Sequence, residues 1–264
     1  MHYNKFFEEK TYSILIPSIL VYLIPLALST GPFLPDLFLS LVSLIFLVTS
    51  IFKKLWKYYF NPIFIFFILF WIFIVAVSLN SNNVALSFKP SVTYLRFGIF
   101  CTAVVYLINS NENFLKKFFT ILILTFILVL IAGLTQIPFE LIGNTQTFSL
   151  EQMSRFNAVT GFFGDEKMLG SYLSRLYPLL LAGFGYMGIK KDVKKNTLVL
   201  LLTFLTLFTI LFTKERTAIF FFFMSLFLIY LFSTIISYKK IFLIILILII
   251  GTTLLLYPET FHSL

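Results

Sequence analysis

The sequence predicts an all-α bundle of about nine membrane-spanning helices, and three observations carry that prediction. First, 59% of the 264 residues are hydrophobic and only 12% are charged, where a soluble domain averages about 25% charged. Mean hydropathy is +0.99, and 36 phenylalanines raise the aromatic share to 19%. Second, the apolar residues come in continuous Leu/Ile/Phe runs near the roughly 17–25 residues a helix needs to cross a bilayer, not in the short alternating segments of a transmembrane barrel. Third, lysines recur on every second connection between the runs. This composition leaves too little polar surface for a soluble enzyme, a disordered tail, a disulfide scaffold or a nucleic-acid binder.

Nine spans are expected: Tyr12–Ser29, Phe33–Phe52, Pro62–Leu79, Val92–Ile108, Phe118–Ile137, Lys167–Gly188, Thr197–Thr213, Thr217–Tyr238 and Ile241–Tyr257. The first two are separated only by Thr30-Gly31-Pro32, which reads as a helical hairpin and not as a cleaved leader. No linker or repeat divides the chain, so a single transmembrane domain over 1–264 is expected, with an outer loop at 138–166.

Charge gives orientation. One set of connections carries thirteen lysines and four acids, a balance of +9; the other carries seven bases and seven acids, a balance of zero. The lysine-rich side is expected to be cytoplasmic, with the N-terminus inside and the bilayer accounting for the basic excess in place of nucleic acid. Cys101 is the single cysteine, and His2 and His262 lie at opposite termini, so neither a disulfide nor a metal site is expected.

The four arginines run against this gradient. Arg96, Arg155, Arg175 and Arg216 all fall on or near the lysine-poor outer side. Arginine presents a fixed fork that grips phosphate through two bonds, where lysine is a point charge. Each also has a plainer reading. Arg96, six residues past Pro90, could snorkel outward; Arg175, ten residues past Asp165 or roughly 15 Å along a helix at ~1.5 Å per residue, could form a structural salt bridge. Arg216, beside Lys214 and Glu215, could be a solvated helix end, and Arg155 a surface charge.

The most polar long stretch runs from Arg155 to Pro178. Gly161 and Gly164 permit tight turns, and Asp165 and Glu166 are expected to open a helix at the positive end of its dipole. Gly170/Ser174 and Ser171/Arg175 pair at i,i+4. That face is either an ordinary packing surface or one wall of an outward-opening polar cavity with Arg175 at its floor. Pro178 is expected to kink the helix. Glu166 would suit a general base if buried. Outer arginines would hold an anion at head-group level, and Phe-rich helices would lie against a lipid tail; a polyprenyl diphosphate carrying a glycan fits both halves.

The segment from Arg155 through Gly161-Phe162-Phe163-Gly164 and Gly170-Ser171-Tyr172-Leu173 to Pro178 resembles the outer-loop motif of the O-antigen ligase/O-antigen polymerase superfamily. Thr213-Lys214-Glu215-Arg216-Thr217-Ala218 resembles that family's short arginine-containing turn. The resemblance spans Pro62 to Tyr257. It implies a metal-independent glycosyltransferase without cofactors, in a bacterial inner membrane, its active face outside. The implied partners are an undecaprenyl-diphosphate-linked glycan donor and a glycan or lipid A–core acceptor. It implies Arg155 and Arg216 as diphosphate ligands; Arg175 joins them on position, with Arg96, Glu166 and Lys214 in support. Family members continue into a large outer loop with a functional His. This chain stops at Leu264, so the C-terminal part is expected to be lacking; His262 lies on the outer side in surroundings that do not match, and the catalytic base is unassigned. Two other readings stay open: a transporter or flippase for an anionic or lipid-linked substrate, and an inactive truncated remnant.

Overall fold

A computed structural model describes residues 2–142, 158–164, 166–187 and 193–232, with side chains over 14–137, 158–164, 166–187 and 197–229. The described residues form helices and no strand. In chain order these are α1 (His2–Ala27), α2 (Phe33–Phe52), α3 (Pro62–Leu79), α4 (Val84–Thr93), α5 (Leu95–Ser110), α6 (Phe114–Ile142), α7 (Leu169–Tyr186), α8 (Val193–Phe212) and α9 (Arg216–Phe232). Four stretches are long and apolar enough to cross a membrane: α2, α3, the nearly continuous α4–α5 over Val84–Ser110, and Phe114–Ile137 of α6. Shorter apolar stretches occupy Ile14–Ala27, Thr197–Phe212 and Arg216–Ile229. The ninth expected span, Ile241–Tyr257, lies outside the described residues.

Several boundaries differ from expectation, and two of them bear on the arginines. The fourth span was placed from Val92, but helix begins at Val84, because Asn83 to Lys89 is too polar to register as an apolar run yet holds nothing that forbids helix. The sixth was placed from Lys167 with Asp165 and Glu166 opening it, but α7 starts at Leu169. Pro178 stands inside α7 without ending it.

The helices are built for apolar surroundings. Asn61 caps α3 by accepting a bond from the Ile63 amide at 3.1 Å, with Pro62 in the first turn where a missing N–H costs nothing. α3 is apolar on every side and only Ser78 among its residues is buried, a pattern suited to lipid and not to water. Hydroxyls within the helices fold back on their own backbone: Ser18, Ser43, Thr49, Thr206 and Thr209 each donate to the carbonyl four residues earlier. Such bonds satisfy polar groups without water.

The chain divides into two compact units, 1–122 and 123–264. In the first, α1 pairs with α2, α2 packs on α5, and α3 lies against α4 and α5. Its core centres on Val42, Phe46, Ala103, Tyr106, Leu107 and Phe114. In the second, α7 packs chiefly on α9 and also on α8, around Phe126, Leu169, Leu173, Tyr177, Ile210 and Phe222.

Candidate functional site

The two motif segments meet in the second unit. The turn between α8 and α9 is tight: Phe212 ends α8, Lys214 takes the left-handed conformation at φ 56°, and Arg216 opens α9. A lysine there costs more than a glycine would, and the conformation throws the next residue, Glu215, across to the start of α7. One Glu215 carboxylate oxygen accepts from the Gly170 amide at 2.7 Å. The other accepts from the Ser171 amide at 3.0 Å and the Ser171 hydroxyl at 2.6 Å. The first amides of a helix have no partner within it, and its N-terminus favours negative charge. The α7 N-cap position, Met168, offers no side-chain bond. Glu215 therefore supplies an acid at this helix start.

Gly170 makes the contact feasible. A Cβ there would collide with the Thr213 hydroxyl and sit 2.9 Å from a Glu215 carboxylate oxygen and 3.0 Å from the Ala218 methyl. Gly170→Ala should push the turn off α7 and cost about 1–3 kcal/mol, within the range of overpacking a filled site. The check is the unfolding temperature of the detergent-solubilised protein against wild type.

The preceding loop is pinned on the same end. The Gln136 side-chain oxygen on α6 accepts from the Thr160 amide at 3.0 Å and the Gly161 amide at 2.8 Å. The Val159 amide donates to the Phe212 carbonyl at the end of α8, at 3.1 Å. Gly161 is left-handed, φ 59°, as the turn requires. Neither Gln136 nor Glu215 stood among the expected site residues.

Two cations adjoin Glu215 in the chain, and a third acts on one of them. Lys214 flanks Glu215 directly, and Arg216 follows it with its side chain exposed. Lys167 precedes α7 and is close enough to Lys214 to act on it. Partial burial, reinforced by the Lys167 charge, lowers the Lys214 pKa below its ordinary value of 10.5. Lys214 therefore sheds its proton at a lower pH than a free lysine, and an anion seated between the two ammonium groups would restore it. Anion binding should weaken as pH rises toward the ordinary lysine range, and Lys214→Gln should flatten that dependence. Titrating the affinity for a soluble diphosphate probe against pH checks this; an identical slope in the variant would refute it.

Arg175 stands elsewhere than its expected place. The helix start at Leu169 leaves it six residues in, roughly 9 Å along the axis, not 15 Å. Its side chain is exposed, with the guanidinium carbon 5.8 Å from the Phe221 ring centre on α9. The face carrying Gly170 and Ser174 is a packing surface: Ser174 is buried and its hydroxyl bonds the Ser171 carbonyl at 3.2 Å. Of the two readings open for this face, packing against α9 fits the packing surface. Glu166 is exposed, so the burial a general base needs is lacking. Arg155, Asp165 and His262 lie outside the described residues.

Arg96 belongs to the first unit and has its own partners. Its guanidinium pairs with Asp36 in the first turn of α2 at 2.5 Å and donates to the Ser40 hydroxyl at 3.1 Å. The Ser43 hydroxyl donates to the Arg96 backbone carbonyl at 3.0 Å. Its charge is thus matched within the protein, and the arrangement joins α2 to α5 at their starting ends. Compared with protein-family models, curated proteins and solved structures, the chain finds no match in any of the three.

Proposed function

We propose that this protein is a membrane glycosyltransferase of the O-antigen polymerase or ligase type, taking a glycan from an undecaprenyl-diphosphate-linked donor at the outer leaflet. One observation carries the reading. The two segments that resemble the family's motifs, 45 residues apart at Gly170 and Glu215, are joined by three hydrogen bonds through one carboxylate. Lys214 and Arg216 flank Glu215 in the chain, and Lys167 is close enough to Lys214 for its charge to act on it. Two lysines and an arginine at one helix end suit a diphosphate, whose charge must be neutralised before it can leave.

In the reaction, an acceptor hydroxyl attacks the anomeric carbon. A new glycosidic C–O bond forms, the bond from that carbon to the diphosphate breaks, and the diphosphate leaves with the electron pair. Arg216, with Lys214 in support, holds the leaving group. Arg175 and Arg155 complete the anion site in this reading; Arg96, committed to Asp36, does not. No metal or cofactor takes part, and an unassigned base accepts the hydroxyl proton. The acceptor is a second lipid-linked repeat for a polymerase, or lipid A–core or another surface acceptor for a ligase.

The nine-span topology, with a cytoplasmic N-terminus in a bacterial inner membrane, places this junction on the outer side. Pairing in both units supports the alternation: Asp36 meets Arg96, and Glu215 meets Gly170 and Ser171. Each pair joins connections that lysine counting assigns to the lysine-poor side.

The test is a gel of surface polysaccharide from cells lacking the gene, before and after return of the 264-residue chain. Missing long chains restored by the protein identify a polymerase, and restored attachment of free long chains identifies a ligase. A pattern indifferent to deletion and return refutes the proposal and directs the next assay to lipid flipping.

A further inference from the structure

The connection from α2 to α3 has no part in the proposed chemistry, yet it is shaped to a definite surface. The helix α2 ends in a closed turn: the Leu55 amide donates to the Ser50 carbonyl at 3.0 Å and the Lys54 amide to the Ile51 carbonyl at 3.4 Å. Lys54 takes the left-handed position, φ 51°, which glycine usually fills. A single 3₁₀ turn, Trp56–Tyr58, follows before Asn61 caps α3. One side of this connection is fixed to the first unit. Leu55, Tyr58 and Tyr59 pack on its core, the Tyr59 and Ser50 hydroxyls are 2.8 Å apart, and the Tyr58 ring meets Tyr106 edge-on at 5.5 Å.

The other side carries Lys53, Lys54 and Lys57 together with three large apolar groups. Phe52 is 83% exposed, Trp56 52% and Phe60 77%. The Lys57 ammonium lies over the Tyr58 ring, 5.2 Å from its centre. Nothing acidic lies between Asp36 and Glu112 in the sequence, so no acid stands near Lys54 or Lys57 along the chain. Bare aromatic rings in water are unfavourable, and at the ends of apolar helices they belong at the boundary of the bilayer. Adjacent lysines at that depth attract anionic head groups several-fold over neutral ones.

We propose that residues 52–60 form a docking loop for anionic phospholipid, with Phe52, Trp56 and Phe60 set into the boundary and Lys53, Lys54 and Lys57 holding the phosphate groups. The rigid attachment through Tyr58 and Tyr59 makes the loop a preformed binding surface. This holds whatever reaction the second unit performs.

The chain has two tryptophans, Trp56 and Trp71, so the Trp71→Phe variant reports from the loop alone. Reconstituted whole into vesicles, it is mixed with brominated phosphatidylglycerol or brominated phosphatidylcholine at equal mole fraction. The brominated anionic lipid should quench Trp56 at least threefold more strongly. Half-molar salt should erase most of that preference without any further substitution. Lys53→Gln, Lys54→Gln and Lys57→Gln together should bring the two lipids to equality while both still quench. Equal quenching in the unaltered loop, no quenching by either lipid, or a preference that survives salt and the triple change would each overturn the proposal.

Discussion

Replacing Glu215 by alanine is expected to lower the unfolding temperature of the detergent-solubilised protein by roughly 5–10 °C. The carboxylate accepts three bonds, two from α7 amides and one from the Ser171 hydroxyl. Hydrogen bonds to charged groups contribute about 1.5–3 kcal/mol each, and removing a cap costs about 0.5–2 kcal/mol. Glu215 is half-buried, so water recovers part of that loss and a net of about 2–3 kcal/mol is the reasonable expectation. For a chain of this size each kcal/mol moves the transition by about 2–4 °C. Glu215→Gln should fall between, because one amide oxygen can still accept while its NH₂ group faces a donor. Glu215→Asp should resemble alanine more than glutamate, since the shorter side chain cannot reach both Gly170 and Ser171. A shift below about 2 °C for the alanine variant would show that the turn and α7 are held by apolar packing alone.

The same residue shows where sequence reading stops. That Lys167 and the Lys214–Arg216 turn belong to one end of the bundle was legible, because alternation of apolar runs needs only their number and order. Which acid serves α7 was not. Local rules favour Asp165 and Glu166, three or four residues ahead of the helix; the residue that arrives is 45 positions away along the chain at Gly170. Its selection depends on the left-handed turn at Lys214, and no glycine there announces it. Gly170 was legible as a small residue, but whether it admitted a ligand or another helix turned on what packed against it. Ala218 and Thr213 did.

The distance of Arg175 from its helix start differs for a related reason. The acids ahead of the helix predict an earlier start for it, but residues 161–163 form a 3₁₀ turn and 166–168 are not helical. The helix therefore begins later and the arginine lies nearer its end. Arg96 and Asp36 were both legible as charges of the lysine-poor connections. Their pairing needed α2 and α5 to be neighbours, which order along the chain does not specify. The division at residue 122 left no trace in composition, because it falls inside the apolar run of α6.

On the proposed reaction, Arg216→Ala should reduce glycan transfer by about 30- to 100-fold in a reconstituted assay with lipid-linked donor while leaving the fold intact. Arg216 is the first residue of α9, exposed and beside the clasp, so its loss removes no packing. A bidentate charge-assisted contact with the diphosphate is worth about 2–3 kcal/mol, and each 1.4 kcal/mol is tenfold. Because charge builds on the diphosphate as the anomeric bond breaks, the loss should fall more on kcat than on donor KM. Arg216→Lys should recover only a few-fold, since an ammonium keeps the charge but not the two parallel bonds. Full recovery by lysine would reduce Arg216 to a source of field. Unchanged transfer by the alanine variant would remove Arg216 from the anion site and leave the Glu215 clasp as an architectural joint. Arg96→Ala is the contrasting case, because its charge is already bound to Asp36 and Ser40. It should lower stability more than transfer per folded molecule, and the opposite effects of the two arginine changes would separate a charge that meets substrate from one that meets the protein.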